Sequence, residues 1–249
     1  MTGRLSGRVA VVTGAGQGIG RGVALALAKE GASVAVSGRT LAKCERVAEE
    51  VAATGAEVVA IACDVGDRAQ VDELIERTVQ RFGGLDVLVN NAQSSRQGLL
   101  AEVTDDDVEQ CWRSGALGTL YAMQAALPHL RARGGGSIVN FGSSTALDGN
   151  VTFGAYAMAK EAIRGLSRVA SREWGRYGIR VNVVVPNALS PSGERYRDEH
   201  PERFAKMAAG LPLGRVGDPE LDIGRAVVTL ASDDLSYLTG ETLRLTGGG

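Results

Sequence analysis

The segment AYAMAK, residues 155–160, sets Tyr156 and Lys160 four positions apart, which puts both side chains on one face of a helix. A phenol with an ordinary pKa of ~10 is a poor base at neutral pH, but a neighbouring ammonium favours the phenolate and lowers that value. Such a pair suits proton transfer to and from a substrate oxygen. Thirteen residues earlier, Ser143 in the segment NFGSS offers a hydroxyl able to hold that same oxygen. A tyrosine and a lysine at this spacing also arise by chance on solvated helices, so their chemistry depends on the elements around them.

Those elements alternate. Short apolar runs occur at RVAVVT (8–13), SVAVSG (33–38), EVVAIACD (57–64), LDVLVN (85–90), SIVNFG (137–142), RVNVVVP (180–186) and ETLRLT (241–246). Helix-period segments lie between them. One carries Ile19, Val23 and Leu27 on a single face before a C-cap at Gly31, and another opens at Thr104 with Asp107 at capping-box spacing. The helix of Tyr156 is expected over about 153–177, with Ala159, Ile163, Leu166 and Ala170 as its apolar face. Nearly continuous apolar strands separated by helices predict an α/β fold in which a parallel sheet is covered on both faces. Ser143 then stands at the carboxyl end of a strand, where ligands of such sheets sit. No linker or repeat interrupts residues 1–249, so a single domain is expected. The charged, proline-containing segment 190–210 follows the sixth strand and reads as a substrate lid or a solvated surface helix.

Directly after the first strand, TGAGQGIGRG holds Gly14, Gly18 and Gly20 in the spacing G-x-x-x-G-x-G, with Gln17 and Ile19 between them. Glycines there permit positive φ and close approach of the backbone to a pyrophosphate, whose charge the following helix N-terminus meets. The second strand ends in SGRT, with no carboxylate before Glu45. Arg39 suits the 2′-phosphate of NADP, whereas NAD sites usually have an acid at this point. NADP is therefore preferred to NAD, although neutral Gln17 withholds a second positive charge.

Composition narrows the function classes. Hydrophobic residues at 44% with 22% charged residues suit a globular protein, and a formal net charge of -2 offers no pull toward nucleic acid or an anionic membrane. Cys44, Cys63 and Cys111 are scattered and only His129 and His200 accompany them, so no metal site is expected and the thiols read as buried and reduced. No apolar run is long enough for a signal-peptide core or a spanning helix, and a cytoplasmic location is the expectation.

Taken in order, TGAGQGIG, CDV (63–65), NNA (90–92), Ser143 with YAMAK, and the C-terminal PLGRVGDPE and YLTGETLRLTGG resemble the short-chain dehydrogenase/reductases over essentially the whole chain. The resemblance implies a doubly wound Rossmann-type domain with seven parallel strands and hydride transfer to or from a nicotinamide. It implies Tyr156 as general acid/base, Ser143 as the group orienting the substrate oxygen, and Lys160 as the residue that binds the ribose and lowers the tyrosine pKa. Asp64 and Val65 would lie at the adenine, Asn91 and Ala92 would line the cofactor cleft, and Leu189 joins the expected cofactor contacts. A homotetramer is a further implication.

Three residues depart from the family pattern. Gln93 follows NNA where a glycine is usual, Asn187 follows Pro186 where a glycine is usual, and Gly115 in SGALGT stands where an asparagine would help hold a water in a proton relay. Either a water or Ser114, if the helix is distorted, is expected to serve in its stead. Gln93 and Asn187 are expected at the substrate end of the cleft, favouring a polar substrate. The leading expectation is an NADPH-dependent reductase of ketones, acting on a small-molecule carbonyl or alcohol. The alternatives are an alcohol dehydrogenase running the other way and a dinucleotide-binding protein without redox activity.

Overall fold

The seven strands are β1 Val9–Val12, β2 Ser33–Gly38, β3 Val58–Ala62, β4 Val87–Asn90, β5 Gly136–Phe141, β6 Ile179–Pro186 and β7 Thr242–Leu245. Each coincides with an apolar run read from the sequence to within a residue or two. In the computed structural model, which describes residues 3–249, they form one wholly parallel sheet in the order β3-β2-β1-β4-β5-β6-β7. The order reverses between β1 and β4, and a ligand crevice opens beyond the strand ends at such a point.

Ten α-helices complete the described chain: α1 Gly18–Lys29, α2 Leu41–Ala52, α3 Arg68–Phe82, α4 Asp105–Trp112, α5 Gly118–Ala132, α6 Ser144–Leu147, α7 Gly154–Trp174, α8 Pro191–Glu199, α9 Pro201–Ala209 and α10 Arg225–Ala231. Alternation along the strands explains the layering. Ala10 and Val12 join Val34, Val36 and Val139 on one face, against Val23 and Leu27 of α1 and Val227 of α10. Val11 points the other way, with Leu88, Ile138 and Val181, onto Leu74 of α3, Met123 of α5 and Ala170 of α7. At about 1.5–3 kcal/mol per fully buried aliphatic side chain, these two cores hold the sandwich together.

Local signals set the ends of several elements. Thr104 and Asp107 form the expected reciprocal capping box at α4. Helix α1 ends at Glu30, and Gly31 just beyond takes φ +91. The helix of Tyr156 stops at Trp174, with Gly175–Tyr177 tightening into a 3-10 turn. Segment 190–210 folds into α8 and α9, and Pro starts each of them. Between α4 and α5, Arg113–Leu117 widen into a π turn, so Gly115 sits in a distorted stretch of helix.

A buried polar ladder ties α7 to the sheet. Asn90 Nδ2 donates to Asn140 Oδ1 at 2.8 Å, Asn140 Nδ2 donates to Ser167 Oγ at 2.9 Å, and that hydroxyl donates to the Ile163 carbonyl at 2.7 Å. Strands β4 and β5 are thereby fixed relative to the helix that carries Tyr156 and Lys160. Satisfied networks of this kind specify one packing arrangement.

Candidate active site

A cleft of about 930 Å³ opens at the carboxyl ends of the strands, where the sheet order reverses. Its first wall is the loop from β1 to α1. Gly14 has φ +65 and Gly18 φ +56, and a Cβ on Gly20 would stand 2.4 Å from the Gly14 carbonyl oxygen. Asn91 braces the turn, its Nδ2 donating to the carbonyls of Thr13 and Gly14 at 3.0 and 3.1 Å. The Thr13 hydroxyl accepts the backbone N–H groups of Asn91 and Ala92, both at 3.1 Å. Thr13 was not singled out in the sequence; its position as the last residue of the first apolar run was the available signal.

Helix α1 begins at this loop with no side-chain cap and no acidic residue in its first turn. Its free N–H groups and positive dipole end suit an anion. Gln17, Ile19, Asp64, Val65 and Ala92 all line the cleft, as does Arg39. Asp64 is occupied with its own turn, its Oδ1 accepting from Gly66 N at 3.0 Å. Lys43, from the first turn of α2, lines the cleft beside them and donates from Nζ to Gln17 Oε1 at 2.9 Å. This is the second positive charge that the loop itself lacks. Its signal was present four residues after Arg39, but only the packing of α2 brings it to the loop.

Tyr156 and Lys160 meet in the cleft from α7. Lys160 is buried and donates from Nζ to the Phe141 carbonyl at the end of β5, 2.7 Å away. Its Nζ lies 5.5 Å from the centroid of the Tyr156 ring. Burial drives the ammonium pKa down from 10.5 to about 7. Burial likewise pushes the Tyr156 phenol above its ordinary value; a hydrogen bond with the Ser143 hydroxyl acts in the opposite sense, and Cys111 adds a small upward push. In this structure the phenol is thus held protonated, where the sequence pair suggested a phenolate. Desolvation outweighs the ammonium because that ammonium is itself close to losing its proton. Ser143 caps the start of α6 with extended backbone, and Phe153 stacks edge-on against Tyr156 with centroids 5.9 Å apart.

The residues expected at the substrate end separate. Asn187 faces a second, smaller cavity of about 460 Å³ with Leu213, Arg215 and Arg244, and its backbone bonds Leu245 and Gly217. Leu189 is likewise absent from the cleft lining, and its N–H donates to the Gly217 carbonyl. Both lie beyond Pro186, where the chain turns to pair with the 217 segment before re-entering the cleft at Ser190. Gln93 does line the cleft, but its amide lies directly over Gly115. Ser114 is committed elsewhere: its hydroxyl donates to the Gln110 carbonyl at 2.7 Å and accepts from Ser94 N at 3.1 Å.

The lid contributes Ser190, Pro191 and Arg195 to the lining, and Pro191 Cδ lies 3.0 Å from where a Cβ on Gly18 would stand. Opposite, the loop after β4 runs beside the loop before α7 through a bridge between Gly98 and Phe153. Leu99, Leu100 and Val151 on these two loops are 57, 78 and 81% exposed. An apolar edge therefore adjoins the lining residues Gln97 and Phe153. Among the described residues no helix is long and apolar enough to cross a membrane. Cys44, Cys63 and Cys111 are buried free thiols, and burial raises the Cys63 pKa to about 12.

Comparison with known proteins agrees in fold and in length. A protein-family model described as enoyl-(acyl carrier protein) reductase matches residues 14–249. The chain is 44% identical to a 12alpha-hydroxysteroid dehydrogenase of Clostridium sp., over 99% of this chain and 98% of that protein. It is 37% identical to the 3-oxoacyl-acyl-carrier-protein reductase of Staphylococcus aureus, over 96% of each. Among solved structures, a 7 alpha-hydroxysteroid dehydrogenase complexed with NADH and 7-oxo glycochenodeoxycholic acid superposes with a TM-score of 0.92 at 31% identity, covering 99% of this chain and 95% of the other.

Proposed function

The chain belongs to the short-chain dehydrogenase/reductase family, and on that premise we propose that it is an NADP(H)-dependent oxidoreductase that reduces a ketone carried on a bulky, largely apolar ring skeleton. The observation that carries the reading is the meeting of Tyr156, Lys160 and the glycine loop in one cleft. The loop fits a dinucleotide: its glycines leave a cradle that a Cβ would fill, and an uncapped helix end faces it. When bound, the cofactor supplies the hydride. Gly14, Gly18 and Gly20 would hold its pyrophosphate, and Asp64 and Val65 its adenine. Arg39 and Lys43 together favour a 2′-phosphate, and no carboxylate adjoins them on the wall of the cleft.

Tyr156 gives the proton to the carbonyl oxygen, and Ser143 donates a hydrogen bond to the charge developing there. A phenol kept protonated by burial suits this direction, since a reductase needs a general acid ready at neutral pH. Lys160, anchored to the Phe141 carbonyl, is held close to neutrality, so its charge responds to its surroundings. The apolar edge of Leu99, Leu100 and Val151, together with the hydroxysteroid dehydrogenases among the relatives, supports a ring ketone of steroid-like bulk over a small polar one. By the same kinship the protein is read as a cytoplasmic homotetramer, which sizing by light scattering tests.

Purified protein incubated with NADPH and a panel of oxo-steroids, oxo-bile acids and 3-oxoacyl thioesters tests the reading through loss of cofactor absorbance. Turnover is expected with the ring ketones. Tyr156→Phe is expected to retain NADPH binding and lose turnover by about 10²–10⁴-fold. NADPH binding without oxidation across the panel, unchanged by Tyr156→Phe, would leave only the non-redox dinucleotide-binding alternative.

A further inference from the structure

Gly115 and Gln93 fit together from opposite walls. A Cβ on Gly115 would stand 2.7 Å from Gln93 Nε2, 2.8 Å from Cδ and 2.8 Å from Oε1, so the glycine leaves the space that this carboxamide fills. Both polar atoms of the amide are sealed from solvent, and neither has a hydrogen-bond partner among the described residues. An amide buried in that condition costs about 1–3 kcal/mol unless a polar group meets it, and buried amides in native proteins are almost always met. The wall they share is polar. Gln93, Ser114, Phe141, Tyr156 and Lys160 bound the same cleft, and the π turn holding Gly115 packs against α7, which carries Lys160. Lys160 spends one N–H bond on the Phe141 carbonyl and has no other partner among the described residues.

We propose that Gln93 is a positioning residue for proton supply, its carboxamide seated over Gly115 to hold a water that connects the buried Lys160 ammonium with solvent. The reading rests on the ketone reduction proposed above. Each turnover breaks the O–H bond of Tyr156 and forms one on the substrate oxygen, so one proton must enter from solvent to restore the phenol. Lys160 is too deeply enclosed to draw that proton directly. A water accepting from Nε2 and donating to Oε1 keeps its remaining lone pair for a proton donor and its remaining hydrogen for the lysine side, as relay requires. Ser114 does not compete for the role, because its hydroxyl hydrogen is already given to Gln110.

The test is a reciprocal swap. Gln93→Ala is expected to lower kcat at least tenfold, with KM for the ketone and Kd for NADPH within twofold of the native values. Its kcat should rise with the concentration of a small acidic buffer such as imidazole, a dependence absent from the native enzyme. Gly115→Asn alone displaces the glutamine, and Gln93→Gly with Gly115→Asn brings an amide back from the opposite wall and should restore kcat to within threefold. A native-like kcat in Gln93→Ala, or a loss that neither buffer nor Gly115→Asn relieves, would overturn the proposal. A high-resolution crystal structure with NADPH gives a readout free of turnover. It should show an ordered water bonded to the Gln93 amide, lost in Gln93→Ala and regained in the swap. An amide bonded directly to cofactor would refute the relay. If the native protein turns over no ketone, the proposed function fails, and the crystallographic water still decides this point.

Discussion

Replacing Lys160 with methionine should stabilise the protein without cofactor at pH 6 and destabilise it near pH 10. The ammonium is 4% exposed, and burial lowers its pKa from 10.5 to about 7. The unfolded chain therefore keeps this proton up to the ordinary lysine value, whereas the folded chain keeps it only below about 7. In that window the unfolded state binds more protons, so the native protein gains stability as pH rises, and the penalty is full and flat below about 7. At about 1.4 kcal/mol per pH unit the gap amounts to about 5 kcal/mol as an upper bound. Methionine removes that penalty but strands the Phe141 carbonyl, which costs about 1–3 kcal/mol. The net gain at pH 6 is then about 2–4 kcal/mol, or roughly 5–10 °C in Tm for a chain of this size. It should fall above pH 7 and change sign between about pH 8 and 10, where the penalty drops below the cost of the stranded carbonyl. Thermal unfolding followed by circular dichroism, at one protein concentration from pH 6 to 10, checks the curve. A variant less stable than native at pH 6, or a difference that does not move with pH, would show that burial does not set the state of this lysine.

Two further predictions concern the cofactor end and the frame. Arg39→Asp should reduce kcat/KM for NADPH by about 10–100-fold while that for NADH rises, since a charge-assisted bond worth about 1.5–3 kcal/mol is exchanged for repulsion; Lys43→Ala should weaken NADPH alone and more modestly, and steady-state kinetics with both cofactors separates the two. Asn140→Ala should cost about 2–4 kcal/mol in urea unfolding, because it leaves both the Asn90 amide and the Ser167 hydroxyl without their bonds inside the core; an effect below about 1 kcal/mol would mean that the ladder does not position α7.

Most of the frame was legible because parallel strands buried on both faces read as unbroken apolar runs, and glycines at fixed spacing announce a tight turn. The capping box at Thr104 and Asp107 and the stop near Gly31 are local signals of the same kind. What escaped depends on distant segments meeting. Lys43 acquires its place only because α2 folds back beside Gln17. Asn187 and Leu189 follow a strand end that points toward the crevice, but pairing with the 217 segment draws them out of its lining. Gln93 and Gly115 are twenty-two positions apart, and each alone looks like a departure from pattern; only the contact between them shows a single amide site built from the other side.

The same limit explains the tyrosine. Its spacing from Lys160 suggests an ammonium lowering a phenol, and that holds where both groups are charged in a wet cleft. Burial acts on both and in opposite directions, lifting the phenol and depressing the ammonium, so each moves toward its neutral form. A neutral pair is the inexpensive way to keep two ionisable groups under one apolar roof. It also means that the protein by itself presents a proton donor, so the oxidative direction must wait until the phenol ionises, while reduction can begin from the state that burial already favours. Oxidation of the alcohol should accordingly climb with pH well beyond neutrality, and ketone reduction should decline over the same range.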